Sequence, residues 1–542
     1  MKNNKSTLII LPLAVAISVV IGITIGSQFS SKSISRNSDR KINTILNMIY
    51  DGYVDTVNVN EIVEKTIPQL LSNLDPHTVY IPAKDLTAVN EELDGSFSGI
   101  GISFFLMNDT VRIIEVLSGG PSEKVGLMAG DKIVSINDSA FTGSEINNQL
   151  VFNKLRGFRG TPVKLGIKRS SSKEILYYDI IRGDIPLVSI DAAYMVDKEI
   201  GYIRIDKFAR TTYDEFLQSL VRLKNEGAEK YILDLRGNGG GYMEMAILMA
   251  NEFLEENSLI VYTKGRDRRT DQQFWSDGNG SFQEVELAIL IDEYSASASE
   301  ILAGAVQDND RGLIIGRRSF GKGLVQKQYE LADSSAVRMT ISRYYTPSGR
   351  CIQKEYKNGE SAYNQDIYDR YTHGELSYKD SIKIDTTNVF LTVNRRKVYG
   401  GGGIMPDIFV PTDTTGITSY YINVSNAGLL QKFSYEYVEI NREELNVLED
   451  YKQFLRILPS DNALLYDFVS YAAKNGVPAR WYYINQSKNL IVTQLKALIA
   501  RDIFGTEAFY PIYNKNDKMI QKAVKAFNDN KASLPIKNTD IK

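Results

Sequence analysis

The chain has 542 residues, of which 43% are hydrophobic and 24% charged, with a formal net charge of −3. That is the composition of an ordinary globular protein, long enough for roughly three or four domains. Charges of both signs are interspersed, which removes the electrostatic case for a nucleic-acid partner. Cys351 is the only cysteine, so an intrachain disulfide and a cysteine-based metal cluster are excluded.

At the N-terminus, Lys2 and Lys5 precede an apolar run from Leu8 to Ile25. As a helix this run would span about 27 Å, close to the thickness of a bilayer core. No A-x-A cleavage pattern follows in the Ser-rich stretch from Ser27 to Arg40. Residues 1–26 are therefore expected to be an uncleaved signal anchor, a transmembrane helix with its basic end inside. The remainder would be exported to the periplasm or cell-envelope side, or secreted if the segment is cut. Residues 27–93 read as a linker and helical region, with Ile42, Ile45, Leu46 and Ile49 at helical spacing. Asp75-Pro76 breaks the pattern, and His77 beside it reads as a turn or packing residue.

Residues 94–183 form a β-rich module. Gly99 and Gly101 punctuate a strand start at Phe97–Ile102. Val111–Val116, the turn Gly119-Gly120-Pro121 and the segment Ala129-Gly130-Asp131 follow. This arrangement resembles a PDZ domain. The resemblance implies that the loop Phe97, Ser98, Gly99, Ile100 and Gly101 captures a terminal carboxylate through its backbone N–H groups. The ligand would add as a strand to an open sheet edge.

From 184 to 412, strand and helix periods alternate. Strands are expected at Tyr202–Ile205, Tyr231–Leu235, Leu287–Ile291 and Val337–Tyr345. Helical stripes intervene at Phe216–Leu223, Met245–Phe253 and Ile301–Val306. This is the signature of an α/β core. Residues 413–542 read as a helical C-terminal region, with Leu490, Ile491, Leu495, Leu498 and Ile499 on one face.

Chemistry concentrates in two segments of the core, Ser295-Ala296-Ser297-Ala298-Ser299-Glu300 and Phe320-Gly321-Lys322-Gly323 with Gln326. A serine hydroxyl needs a base before it attacks a carbonyl. The only histidines, His77 and His373, lie in unpromising settings, which leaves a lysine. Burial lowers the proton affinity of a lysine and suits it to the task. Ser297 falls between a strand and a helix, where the Ala298 N–H and the helix dipole favour developing negative charge. The glycine-rich turn Asp234–Gly241 could aim a second N–H at the same point. Each piece has a plainer reading: Ser295, Ser297 and Ser299 as helix caps, Lys322 as a solvated lysine, the glycines as a helix-entry turn. Ser170 and Lys173 match S-x-x-K in a polar turn, a chance match.

Together, these segments with Tyr344-Tyr345-Thr346-Pro347-Ser348-Gly349-Arg350 and the PDZ-like module resemble the C-terminal processing, or tail-specific, proteases over about residues 40–412. The resemblance implies a mixed α/β fold: a serine protease core of βα repeats with an inserted PDZ domain. It implies Ser297 as nucleophile, Lys322 as general base and Gln326 as the group orienting its amine. Ala298 and Gly240 would supply the oxyanion N–H groups. No metal or organic cofactor is expected. The expected partners are proteins or peptides with free C-termini, and the membrane through the N-terminal helix; a homo-oligomer is compatible with the chain. Arg317, Arg318 and Asp292 depart from the residues common in the family at those places. Two alternatives stay open: a catalytically silent PDZ adaptor that binds C-terminal tails, and another acyl-transfer enzyme, such as an esterase, on the same core.

Overall fold

The computed structural model describes residues 36–532 apart from 108, 118, 384 and 386. The expected anchor at 1–26 lies outside the described residues; among those described, no helix is long and apolar enough to cross a membrane. The described residues up to Asn73 form one compact unit and those from Leu74 onward another. The first holds the helices Arg36–Gly52 and Val59–Leu71, the second capped by Asn58, whose side chain accepts from the Asn60 N–H.

The second unit is built on a six-stranded sheet in the order Ile190–Met195, Ile200–Ile205, Lys230–Asp234, Glu286–Ile291, Leu313–Gly316, Ile408–Phe409. The first pair is antiparallel and the others parallel. The central strands bury both faces, so they read as continuous apolar runs rather than alternating ones. Tyr231, Leu233, Leu287, Ile289 and Ile291 face one core with the helices Thr212–Glu226, Met243–Asn251 and Ala298–Asp308. Ile232, Ala288, Leu290, Leu313 and Ile315 face the other. That second face is covered from far along the chain, by Met519, Ile520, Ala523 and Phe527 of the helix Lys518–Asn528. Burying a phenylalanine such as Phe527 stabilises by about 1.5–3 kcal/mol, and Phe527→Asp would strip the cover from the sheet. Between the core and this helix, Tyr420 to Ile512 fold around an apolar centre of their own.

A second sheet carries Leu324–Glu330 against Ala336–Tyr345. The long strand also pairs with Val79–Ile81 and Leu259–Gly265. The β-rich module is a sheet in the order Ile102–Met107, Thr110–Val116, Lys132–Ile136, Pro162–Lys168, Ile175–Ile181, with the helix Asn148–Leu155. Its two connections to the core pair with each other, Ser96–Gly99 antiparallel to Gly183–Pro186. The module is thus inserted on a two-stranded stalk.

Candidate active site

Ser297 lies six residues beyond the strand Glu286–Ile291 and immediately before the helix Ala298–Asp308, with φ 56° and ψ −113°. That backbone region costs an L residue about 1–3 kcal/mol and persists only where surrounding bonds hold it. Those bonds come from the glycine-rich turn. Ser295 Oγ donates to the Leu235 carbonyl at 2.8 Å, Ala296 N to the Asn238 carbonyl at 3.0 Å, and Ser299 Oγ to the same carbonyl at 2.9 Å. Ser295 and Ser299 are therefore stitches between two turns, not helix caps. Asp292 Oδ1 accepts from the Gly237 N–H at 3.0 Å and from Tyr294 N at 3.1 Å, so it serves as a turn-former here.

Gly240 sits against the serine. A Cβ on it would fall 2.7 Å from Ser297 Cβ and 2.8 Å from the Ala296 carbonyl, at φ +105°. Its N–H, however, donates to Asn238 Oδ1 at 2.8 Å. The expectation that Gly240 presents a free oxyanion donor is corrected to that extent: the donor is already engaged. Asn238 in turn is anchored by its amide to the Ile205 carbonyl at 2.9 Å. Ala298 is the first residue of its helix, where backbone N–H groups have no partner within the helix.

The two catalytic-looking segments are joined by a residue whose role the sequence reading missed. Glu300 is fully buried. Its Oε2 accepts from the backbone N–H groups of both Ser297, at 2.9 Å, and Lys322, at 2.8 Å. Its Oε1 accepts from Gly321 N at 2.7 Å and from Ser319 Oγ. From the other side, the buried Tyr344 hydroxyl contacts the carbonyls of Ser297 (3.1 Å) and Lys322 (2.6 Å). One carboxylate and one phenol thus bracket residues 297 and 322. The S-x-x-E pattern, a capping-box signature, was the available signal for Glu300. Burial pushes the Glu300 carboxyl up, opposed by its four donors.

Lys322 Nζ donates to Gln326 Oε1 at 3.0 Å. Burial lowers the affinity of this amine for its proton; nearby Arg338 adds to the effect, and Glu300 and Asp75 oppose it. Gln326 Nε2 donates to the backbone carbonyl of His77. His77, expected to be a turn residue, does sit in an Asp75-capped turn, with its N–H on Asp75 Oδ1 at 2.9 Å. It also lies beside the lysine: burial first and the Lys322 charge second lower its imidazole to about 4.

Arg204, on the strand Ile200–Ile205, joins a cluster of ion pairs. Its guanidinium meets Asp234 at 3.3 Å and Asp191 at 3.4 Å. Asp234 is buried, which would raise its carboxyl; the Arg236 fork at 2.6 Å overcomes this and holds it at about 2. Arg317 pairs with Glu293 at 2.7 Å and Arg318 with Glu375 at 2.6 Å, so these departures from the family pattern carry their own partners.

In the β-rich module, the expected Phe97–Gly101 loop is shorter than anticipated. Phe97, Ser98 and Gly99 are strand residues, paired with Ile185, Asp184 and Gly183 of the stalk. The turn proper is Ile100-Gly101, with Gly101 at φ +78° and the Ile100 carbonyl accepting from Ser122 N at 2.9 Å. The strand Ile102–Met107 that follows pairs on one side only and forms the edge of its sheet. Beside it, Phe104 meets Phe152 of the helix Asn148–Leu155 at 5.4 Å between centroids.

Three family models match: Peptidase family S41 over residues 199–360, PDZ domain over 98–177, and a family of unknown function, DUF8443, over 420–505. The carboxy-terminal processing protease CtpB of Bacillus subtilis is 31% identical over 351 residues, covering 64% of this chain and 72% of that protein. The carboxy-terminal-processing protease of Bartonella bacilliformis is 32% identical over 353 residues, covering 63% and 80%. Among solved structures, the photosystem II D1 C-terminal processing protease aligns with 57% of this chain and 88% of its own, at 26% identity and a TM-score of 0.32. The family-model matches and the two relatives define the class, a serine peptidase core with an inserted PDZ domain. The chain belongs to the carboxy-terminal processing proteases.

Proposed function

We propose that the protein is an endopeptidase that uses Ser297 and Lys322 as a dyad to cut exported proteins at or near their C-termini. The observation that carries this reading is the double bracket of Glu300 and Tyr344 around residues 297 and 322, beside an amine whose burial favours its neutral form.

Neutral Lys322 takes the Ser297 proton as the hydroxyl oxygen attacks a peptide carbonyl. The tetrahedral oxyanion develops at the start of the helix Ala298–Asp308, where the Ala298 N–H and the helix dipole favour negative charge. A second donor requires Gly240 to release Asn238 Oδ1. The Lys322 ammonium then protonates the departing amine. Water, deprotonated by the same amine, attacks the acyl carbonyl; the bond to Ser297 breaks, and its oxygen takes the proton back from the Lys322 ammonium. Gln326 holds the amine between these transfers. The PDZ domain takes the substrate C-terminus at the open edge of Ile102–Met107, with its carboxylate at the Ile100-Gly101 turn. Export rests on the basic and then apolar N-terminal run.

The test compares wild type with Ser297→Ala on an unfolded protein carrying a free or an amidated C-terminus. Cleavage of the free form by wild type alone is the expected result. Equal cleavage by both proteins would reject the nucleophile, and indifference to amidation would reject tail recognition. A silent adaptor would bind the free tail and cut nothing.

A further inference from the structure

The support of the catalytic amine continues beyond Gln326 into a segment that the peptidase family model does not reach. The match to that model ends at residue 360, where the helix Glu360–Thr372 begins. This helix turns Tyr363 inward, 3% exposed. The Tyr363 hydroxyl is hydrogen-bonded to His77 Nε2 at 2.8 Å. The two rings meet edge to face at 5.2 Å, and Phe320, two residues before Lys322, meets Tyr363 the same way at 5.8 Å. Arg370 of the same helix donates to the carbonyl of Ser319 at 2.8 Å. The helix therefore grips both the loop that carries Lys322 and the turn whose carbonyl holds Gln326.

We infer that Tyr363 is a positioning residue for the catalytic amine, acting through His77 and Gln326 on Lys322. This rests on the dyad reading above. The chain of contacts is unbroken: Tyr363 Oη to His77 Nε2, His77 carbonyl to Gln326 Nε2, Gln326 Oε1 to Lys322 Nζ. Two of its three links end on His77, one on the ring and one on the backbone. The backbone is pinned independently by Asp75, which accepts from the N–H groups of His77 and Thr78. The ring has Tyr363 as its hydrogen-bond partner and Phe320 as its second aromatic neighbour. The charged groups facing the imidazole are Asp75 on its own turn, and Lys322 and Lys354 from the loops packed against it. Lys354 itself lies over both aromatic rings, 3.9 Å from the Phe320 centroid and 4.1 Å from that of Tyr363. Loosening the ring removes one of the two anchors of the turn whose carbonyl holds Gln326, leaving only the Asp75 bonds, and opens the crevice around the amine to water.

The test is Tyr363→Phe in the full chain, which removes one hydroxyl and keeps the ring. With an unfolded protein substrate, kcat should fall roughly tenfold, the equivalent of one lost hydrogen bond, with KM unchanged. The midpoint of the kcat–pH profile should move to higher pH as water regains access to the amine. His77→Phe should act alike, and the double variant should be no worse than either single one, because both remove the same link. If the Tyr363 hydroxyl serves stability alone, Tyr363→Phe would lower the unfolding temperature and leave kcat and the pH midpoint in place. Lys322→Ala, run in parallel, separates the two readings. If it is inactive while Tyr363→Phe keeps wild-type kcat and pH midpoint, or if the two substitutions act additively, the positioning role is overturned alone. If Lys322→Ala keeps turnover, the dyad falls and this role with it.

Discussion

Replacing Glu300 tests the joint between the two halves of the site. Its carboxylate accepts from the N–H groups of Ser297, Gly321 and Lys322 and from the Ser319 hydroxyl. In Glu300→Gln the amide oxygen can keep the Ser297 and Lys322 donors. The new NH2 group then faces the Ser319 hydroxyl, which can turn, and the Gly321 N–H, which cannot. One buried donor is orphaned, at about 1–3 kcal/mol. In Glu300→Ala the buried Gly321 N–H and the part-buried Ser297 and Lys322 N–H groups lose their acceptor, which on the same scale is at most about 3–9 kcal/mol and rivals the stability of a whole domain. The glutamine variant should therefore fold, with a modest drop in unfolding temperature. Its turnover should fall about 10²–10³-fold, since residues 297 and 322 hold their places through this carboxylate and misaligned groups forfeit transition-state stabilisation. The alanine variant should unfold at much lower temperature or fail to accumulate. Thermal unfolding by circular dichroism, with cleavage of an unfolded protein, reads both. An alanine variant with wild-type melting and turnover would refute the reasoning.

On the dyad reading, which makes the neutral amine the active form, the rate should rise with pH from neutral into the alkaline range, with a midpoint below the usual lysine value because burial lowers its pKa. The same shift means the unfolded chain binds one more proton than the folded one between the two pKa values, so stability also rises with pH there; Lys322→Met should remove that dependence in chemical denaturation while abolishing turnover. Gly240→Ala should lose activity by at least 10²-fold, as its Cβ would sit 2.7 Å from Ser297 Cβ at a φ of +105°; crystals or kinetics showing an undisturbed serine would contradict this.

Much of the candidate site was legible because its residues lie in short local patterns. Ser297 before a helix, Lys322 between glycines and Gln326 four residues on are all short-range patterns, as are the strands and helices of the core, whose apolar periods are long and regular. The PDZ turn was legible in kind but not in extent. Phe97 to Gly99 carry the glycine spacing of a loop, yet they are strand residues because their partners lie at Gly183–Pro186, nearly ninety residues away. That the Gly240 N–H already has an acceptor was not legible for a similar reason. Whether a backbone donor is free depends on where a neighbouring side chain, here Asn238, has been turned.

Local pattern determined the elements and singled out the candidate groups, since propensity, turn chemistry and capping act over a few residues. Tertiary structure alone decided what holds those groups in register. It placed Glu300 between two loops, Tyr344 across their carbonyls, His77 beneath Gln326, and the helix Lys518–Asn528 over the far face of the core sheet. Such contacts are set by packing between segments tens to hundreds of residues apart, and buried polar groups accept whichever partner the fold delivers, an outcome that no local spacing encodes.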